Sequence, residues 1–324
     1  MKKAFLVLFA SFLFGLSCNK KAETIAPPAN TEPVAANRRC AAYEVLQNDL
    51  KTDPGLQQRM DAIESFTRNF QNNPNAARLL PDGSLEVPVI VNVLYHTAAE
   101  NISTAQINSQ IRVLNQDYAG SNPDINATPS LFSRFLSGNT GIKFVLQNVV
   151  RKQTDRLSWS TNNAMKKGNQ GGIDATSPST TLNIWVCTLG GGILGYAQFP
   201  GGNINTDGVV ILNTAFGNMG TAEAPYDKGR TATHEVGHYF NLRHIWGDRT
   251  CGDDQVDDTP IHTSYNFGCP SFPDNSSCGG TVHPMMTMNY MDYTDDACMY
   301  MFTGGQKIRM QATFATGGPR ATLR

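Results

Sequence analysis

The chain predicts an α+β fold, and three features of its layout carry that expectation. Strand-like apolar runs gather between residues 85 and 213. A helix rich in histidine follows at residues 230–241. Beyond it lies a stretch of Gly, Pro, Asp and Ser, with cysteines at intervals, that ends in one more helical pattern. At 324 residues and 40% hydrophobic content, the chain is long enough for one large domain with a smaller appendage.

The elements read as follows. Upstream, Leu56, Met60, Ile63 and Phe70 recur near helical spacing. Asp53-Pro54 serves as an N-cap and first-turn pair, so residues 38–80 form a small helical segment ending in the QNNPN turn. LEVPVIVNVLYH, from Leu85, begins with alternation and becomes fully apolar, as a sheet strand would. Ser103 to Tyr118 sets Ile107, Ile111 and Leu114 on one face and predicts a helix packed on that sheet. IKFVLQNVV, TLNIWVCTL and DGVVILN predict three further strands. Between the last two, the glycines of GGGILGYAQFPGGN predict a loop and an irregular edge strand, where an extended peptide can add itself by main-chain hydrogen bonds. Thr303-Gly304-Gly305-Gln306 fits a capping box that opens a final helix through about Phe314.

Formal net charge is -1, with Lys and Arg spread along the chain. That leaves no basic footprint for nucleic acid. The N-terminus, MKKAFLVLFASFLFGLSC, has two lysines, an apolar run too short to span a bilayer, and small residues before Cys18. This is the layout of a secretory signal over residues 1–18, and it predicts a secreted or cell-surface protein. GLSC resembles a relaxed lipobox, with Gly15 where leucine is usual. It predicts a lipidated Cys18 and attachment to an outer membrane or cell surface. Residues 19–37 are Pro, Ala and Thr rich without apolar period and read as a flexible tether.

Export permits disulfides, so the seven cysteines sort by position. Cys18 belongs to the signal, and Cys187 lies in a strand-like run as a small buried hydrophobe. Cys251, Cys269, Cys278 and Cys298 crowd into the irregular stretch, where three pairings are open and two bridges would brace it. Cys40 is left without an obvious partner.

The chemistry lies in HEVGHYFNLRH, residues 234–244, which holds half of the six histidines. Four-residue spacing on a helix puts His234 and His238 on one face, able to share a metal, with Glu235 offset beside them. A catalytic zinc needs a third protein ligand. His244 supplies it only if the chain leaves the helix, because a straight helix would carry residue 244 roughly 9 Å along the axis from residue 238. Such an exit needs positive φ. Glycine is the default there and asparagine the best-tolerated alternative, which fits Asn241. His96, His262 and His283 read as structural or surface residues.

HEVGHYFNLRH followed by NYMDY resembles the extended zinc motif and Met-turn of the metzincin metallopeptidases. With the cysteine-bearing acidic loop CGDDQVDDTP between them, the match is to the pappalysin-like branch, over roughly residues 85 to 320. The resemblance implies a zincin-like α+β domain over residues 84–324: a twisted mixed sheet, a backing helix, an active-site helix and an irregular disulfide-braced lower part with a C-terminal helix. It implies a monomeric endopeptidase acting on proteins or peptides. His234, His238 and His244 hold one Zn²⁺, Glu235 is the general base, Met291 is an apolar floor under the metal, and Tyr293 is within reach of the metal or the oxyanion. It further implies calcium at the acidic loop through Asp254, Asp258 and Thr259. The implied disulfides are Cys251 with Cys278 and Cys269 with Cys298. Cys40 is the thiol of a latent pro-segment that blocks the zinc, with a free thiol or an intermolecular disulfide as alternatives. Arg78 is a plausible activation cut. Asp295 and Asp296 are candidate acids for a specificity pocket. Two rival readings are a zinc hydrolase of another amide, such as one in a cell-wall peptide, and a non-catalytic surface module with structural zinc.

Overall fold

The structure, a computed structural model, describes Met1, residues 39–73 and residues 84–323. The signal, the tether, Cys18 and Arg78 lie outside the described residues. Asn37–Arg324 make one compact unit.

Two helices, α1 (Ala42–Thr52) and α2 (Leu56–Asn72), come first. Asp53 joins them. It follows α1, and its carboxylate accepts from the Gly55 amide at 3.1 Å, so the expected cap residue orders the turn from two residues before the N-cap position, which Gly55 takes. There follow β1 (Leu85–Tyr95), α3 (Thr104–Tyr118), the single turn α4 (Ser130–Ser133), β2 (Ile142–Gln153), β3 (Leu182–Cys187), β4 (Gly195–Ala197) and β5 (Val209–Leu212). The histidine helix is α5 (Arg230–Tyr239). A two-residue ladder of β6 (Asn275–Ser276) and β7 (His283–Pro284) sits in the irregular part, and α6 (Gly304–Phe314) closes the domain. The predicted capping box of α6 is present, and α3 has a cap not named from the sequence. Ser103 Oγ accepts from the Gln106 amide at 3.1 Å, and Thr303 with Gln306 forms the full capping box of α6.

The five main strands form one mixed sheet in the order β2-β1-β3-β5-β4. All neighbours are parallel except the antiparallel edge strand β4. Alternation sends Val87, Val89, Val91, Val93, Ile184, Val186, Val209 and Ile211 to the face covered by α3 and α5. Leu94, Trp185, Cys187 and Val210 point to the other face. That second face is covered by residues 159–175 and by Cys40–Ala42. A largely parallel sheet buried on both sides explains why its strands read as near-continuous apolar runs. Among the described residues no helix is long and apolar enough to cross a membrane.

Candidate active site

Helix α5 is fixed at both ends. At its start, Asp296 Oδ2 accepts from the amides of Lys228 and Arg230 at 2.9 and 3.0 Å, a carboxylate at the positive end of the helix dipole. Asp296 thus caps the start of α5 through one carboxylate oxygen. Arg230 is buried, with its guanidinium on Asp124 and on the carbonyl of Met299. At the far end, Asn241 adopts φ 70°. The Asn241 amide donates to the His238 carbonyl at 2.9 Å and the Leu242 amide to the Gly237 carbonyl at 2.9 Å. These two bonds make a Schellman motif with asparagine at the left-handed position. The chain therefore doubles back, and His244 returns to the face of the helix that carries His234 and His238.

Each imidazole is oriented through Nδ1. His234 bonds the Tyr290 carbonyl at 2.7 Å, His238 the Leu242 carbonyl at 2.8 Å, and His244 the carboxylate of Asp248. Acceptors at all three Nδ1 atoms place the protons there and leave each Nε2 as a bare lone pair. Those lone pairs converge, His238 Nε2 lying 3.1 Å from His234 Nε2 and 3.0 Å from His244 Nε2. Three convergent lone pairs repel one another unless a cation lies between them, so the donor set fits a tri-histidine metal site. Burial, reinforced by neighbouring His244, pushes His238 down to about 3, keeping it in the neutral form that binds metal.

The Cys40 sulfur completes the cluster, with the four donor atoms all within 4.8 Å of one another. Cys40 is delivered as part of an added strand. The Leu194 amide donates to the Arg39 carbonyl and the Ala41 amide to the Gly195 carbonyl, each at 3.0 Å, in parallel register along β4. The predicted edge strand thus carries an extended peptide from the chain's own N-terminal segment. Glu235 Oε2 accepts from Cys40 Sγ at 3.3 Å. The Tyr293 hydroxyl donates to the Cys40 carbonyl at 3.1 Å, and burial keeps that phenol protonated. Without a cation, burial first and the charge of Glu235 second raise the Cys40 thiol; a divalent cation reverses that balance.

Two glycines are demanded by close approach. A Cβ on Gly195 would lie 2.9 Å from Glu235 Cγ, and one on Gly237 would lie 2.6 Å from Met291 Sδ. Gly237, inside the histidine motif, lets the Met-turn sulfur press against the helix carrying two of the imidazoles. Met291 is fully buried in the core.

A family model described as Pregnancy-associated plasma protein-A matches residues 177–315. An extracellular metalloprotease of Coccidioides posadasii is 34% identical over 265 residues, covering 75% of this chain and 84% of the relative. An extracellular metalloprotease of Pyricularia oryzae is 35% identical over 227 residues, covering 67% and 70%. The chain belongs to the pappalysin-like metallopeptidases. Among solved structures, a mutant of Tannerella forsythia promirolysin superposes with TM-score 0.79 at 44% identity, covering 88% of this chain and 97% of that one. Mature mirolysin of the same organism, in complex with a cleaved peptide, gives TM-score 0.72 at 48% identity, covering 74% and 95%.

The remaining expected residues of this metallopeptidase lie in its lower part. Cys251 bonds Cys278 and Cys269 bonds Cys298, while Cys40 and Cys187 are free and buried. The two carboxylate oxygens of Asp254 lie 2.9 and 3.0 Å from Thr259 Oγ1, which is 2.8 Å from the Val256 carbonyl. Asp258 has other partners. Its carboxylate accepts from Thr303 Oγ1 at 2.6 Å and from the Gly305 amide at 2.8 Å, capping α6. His262 is buried and accepts from the Met286 amide, while His96 and His283 bond main-chain carbonyls. Sequence reasoning missed Asp248. A carboxylate four residues after the third histidine, in HIWGD, was the available signal for a group that orients the ligand.

The account of the turn predicts that Asn241→Gly retains zinc and activity within about twofold. Asn241→Val should lose both, because a β-branched residue resists positive φ. Zinc content and peptide turnover of the two variants check this; full activity in the valine variant would contradict it.

Proposed function

We propose that this metalloendopeptidase is exported, holds zinc on His234, His238 and His244, and is made latent by residues 39–73, with Cys40 closing the fourth position. The observation that carries the reading is the convergence of three Nε2 lone pairs and the Cys40 sulfur beside Glu235. When bound, zinc polarises the scissile carbonyl and acidifies water. Glu235 accepts a proton from the attacking water and passes it to the leaving amine. An extended peptide pairs with Gly195–Ala197 in place of Arg39–Ala41, and Tyr293, which donates to the Cys40 carbonyl in the precursor, donates to a substrate carbonyl oxygen. Met291 packs under the metal as an apolar floor.

The extracellular relatives and the signal-like N-terminus support secretion. Anchoring through a lipidated Cys18 rests on GLSC alone. Action as a monomer is part of the same reading. For calcium, the convergent oxygens of Asp254, Val256 and Thr259 are hard ligands. Burial pushes Asp254 up to about 7, a penalty that a bound cation would relieve. Asp258, the third residue of the expected set, also bonds α6.

Metal removal tests both ions. A strong zinc chelator is expected to abolish peptide cleavage, and stoichiometric zinc to restore it. A calcium-selective chelator is expected to lower the melting temperature by several degrees and leave the zinc in place. Cleavage that survives zinc removal would sink the mechanism, and an unmoved melting temperature would remove the calcium.

A further inference from the structure

Arg309, on α6, is fully buried, and its guanidinium faces two partners of different origin. Its Nε donates to the Asn241 carbonyl at 2.8 Å. Its two terminal nitrogens donate to the two carboxylate oxygens of Glu64, on α2, at 2.9 and 2.5 Å. Asn241 is the left-handed residue of the turn that returns His244 to the metal cluster. One helical turn beyond Glu64, the Thr67 hydroxyl accepts from Asn241 Nδ2 at 3.5 Å. Burial opposes ionisation of Glu64, and the adjoining Arg309 charge outweighs it, holding the carboxyl below its ordinary range.

We propose that Arg309 is a positioning residue for the turn that carries His244, and that Glu64 uses it to anchor the N-terminal segment independently of Cys40. This rests on the reading of residues 39–73 as a latency segment. A planar fork meeting a carboxylate with two parallel bonds, in a partly buried contact, is among the stronger pairings available to side chains. The anchor grips the scaffold of the site on the side of the turn, while Cys40 and the added strand grip the cleft. The segment is thereby held at two separated places, and loss of one leaves the other. After the segment departs, Arg309 still feels the charge of Asp254 and keeps its bond to the Asn241 carbonyl.

The test uses the full-length chain, cut between residues 73 and 84 by an added protease, with departure of the segment followed by gel filtration. Glu64→Gln is expected to release the segment roughly tenfold faster than wild type, the scale of a lost charged hydrogen-bond pair. The mature enzyme from that variant has an unchanged sequence and should show unchanged kcat/KM. In the mature enzyme, Arg309→Lys is expected to lose zinc to a chelator roughly tenfold faster than Ile107→Val, a core substitution that serves as the control for general destabilisation. Release of the Glu64→Gln segment at the wild-type rate would overturn the anchor. Equal zinc loss from the Arg309→Lys and Ile107→Val enzymes would overturn the positioning role. Failure of the latency reading shows separately: uncut wild-type chain would hydrolyse peptide as fast as cut chain, while the release comparison remains readable.

Discussion

Glu235→Ala is expected to lower peptide hydrolysis by about 10²- to 10⁴-fold while leaving one zinc per chain. The carboxylate lies beside the donor cluster without belonging to it. The cluster consists of three imidazoles and the Cys40 sulfur, and Glu235 touches that sulfur at 3.3 Å. Truncation to alanine removes the proton acceptor and leaves the three Nδ1 bonds that orient the imidazoles. If the chain trims its own segment, the variant also accumulates as the full-length form. Metal analysis and a turnover assay on one preparation separate the two effects. Loss of zinc together with activity would mean that Glu235 supports the site structurally, and undiminished turnover would remove it from the mechanism.

Cys40→Ala is expected to give uncut chain with about ten- to a hundredfold more activity than wild type, yet below that of the mature enzyme. The thiol is one of several bonds across the cleft. Removing a charge-type contact of the order of 1.5–3 kcal/mol raises the competent fraction by that factor. The backbone still pairs with β4 at Leu194 and Gly195, and the Tyr293 hydroxyl still reaches the carbonyl of residue 40. The strand seated in the cleft thus adds main-chain bonds to the blocking thiol expected from the sequence. Assay of uncut variant beside cut wild type checks this. Activity equal to wild-type precursor would show that the sulfur contributes nothing to latency.

The legible parts of this molecule are those where one local rule suffices. The capping box at Thr303 is a short-range signature, and it stands where the pattern puts it. The positive φ of Asn241 followed from asking how three histidines could meet, and the Schellman motif is the local answer. The disulfide pairing was open from spacing and came from the resemblance. Long-range pairings left no local trace. Nothing near Glu64 announces Arg309, 245 residues away, and nothing in NRRCAAYEV states that its backbone would add to the edge strand. That Asp296 caps α5 left no local trace either, because a carboxylate capping a helix 66 residues away looks like any other in sequence.

The central claim is that a zinc held by His234, His238 and His244 has its fourth position closed by Cys40 in the precursor and opened by removal of the segment. Zinc K-edge absorption on purified full-length chain, before and after cutting, measures this directly. The account predicts one sulfur at about 2.3 Å with three nitrogens at about 2.0–2.1 Å in the precursor, and loss of the sulfur shell after cutting. A precursor spectrum with only nitrogen and oxygen neighbours would contradict it.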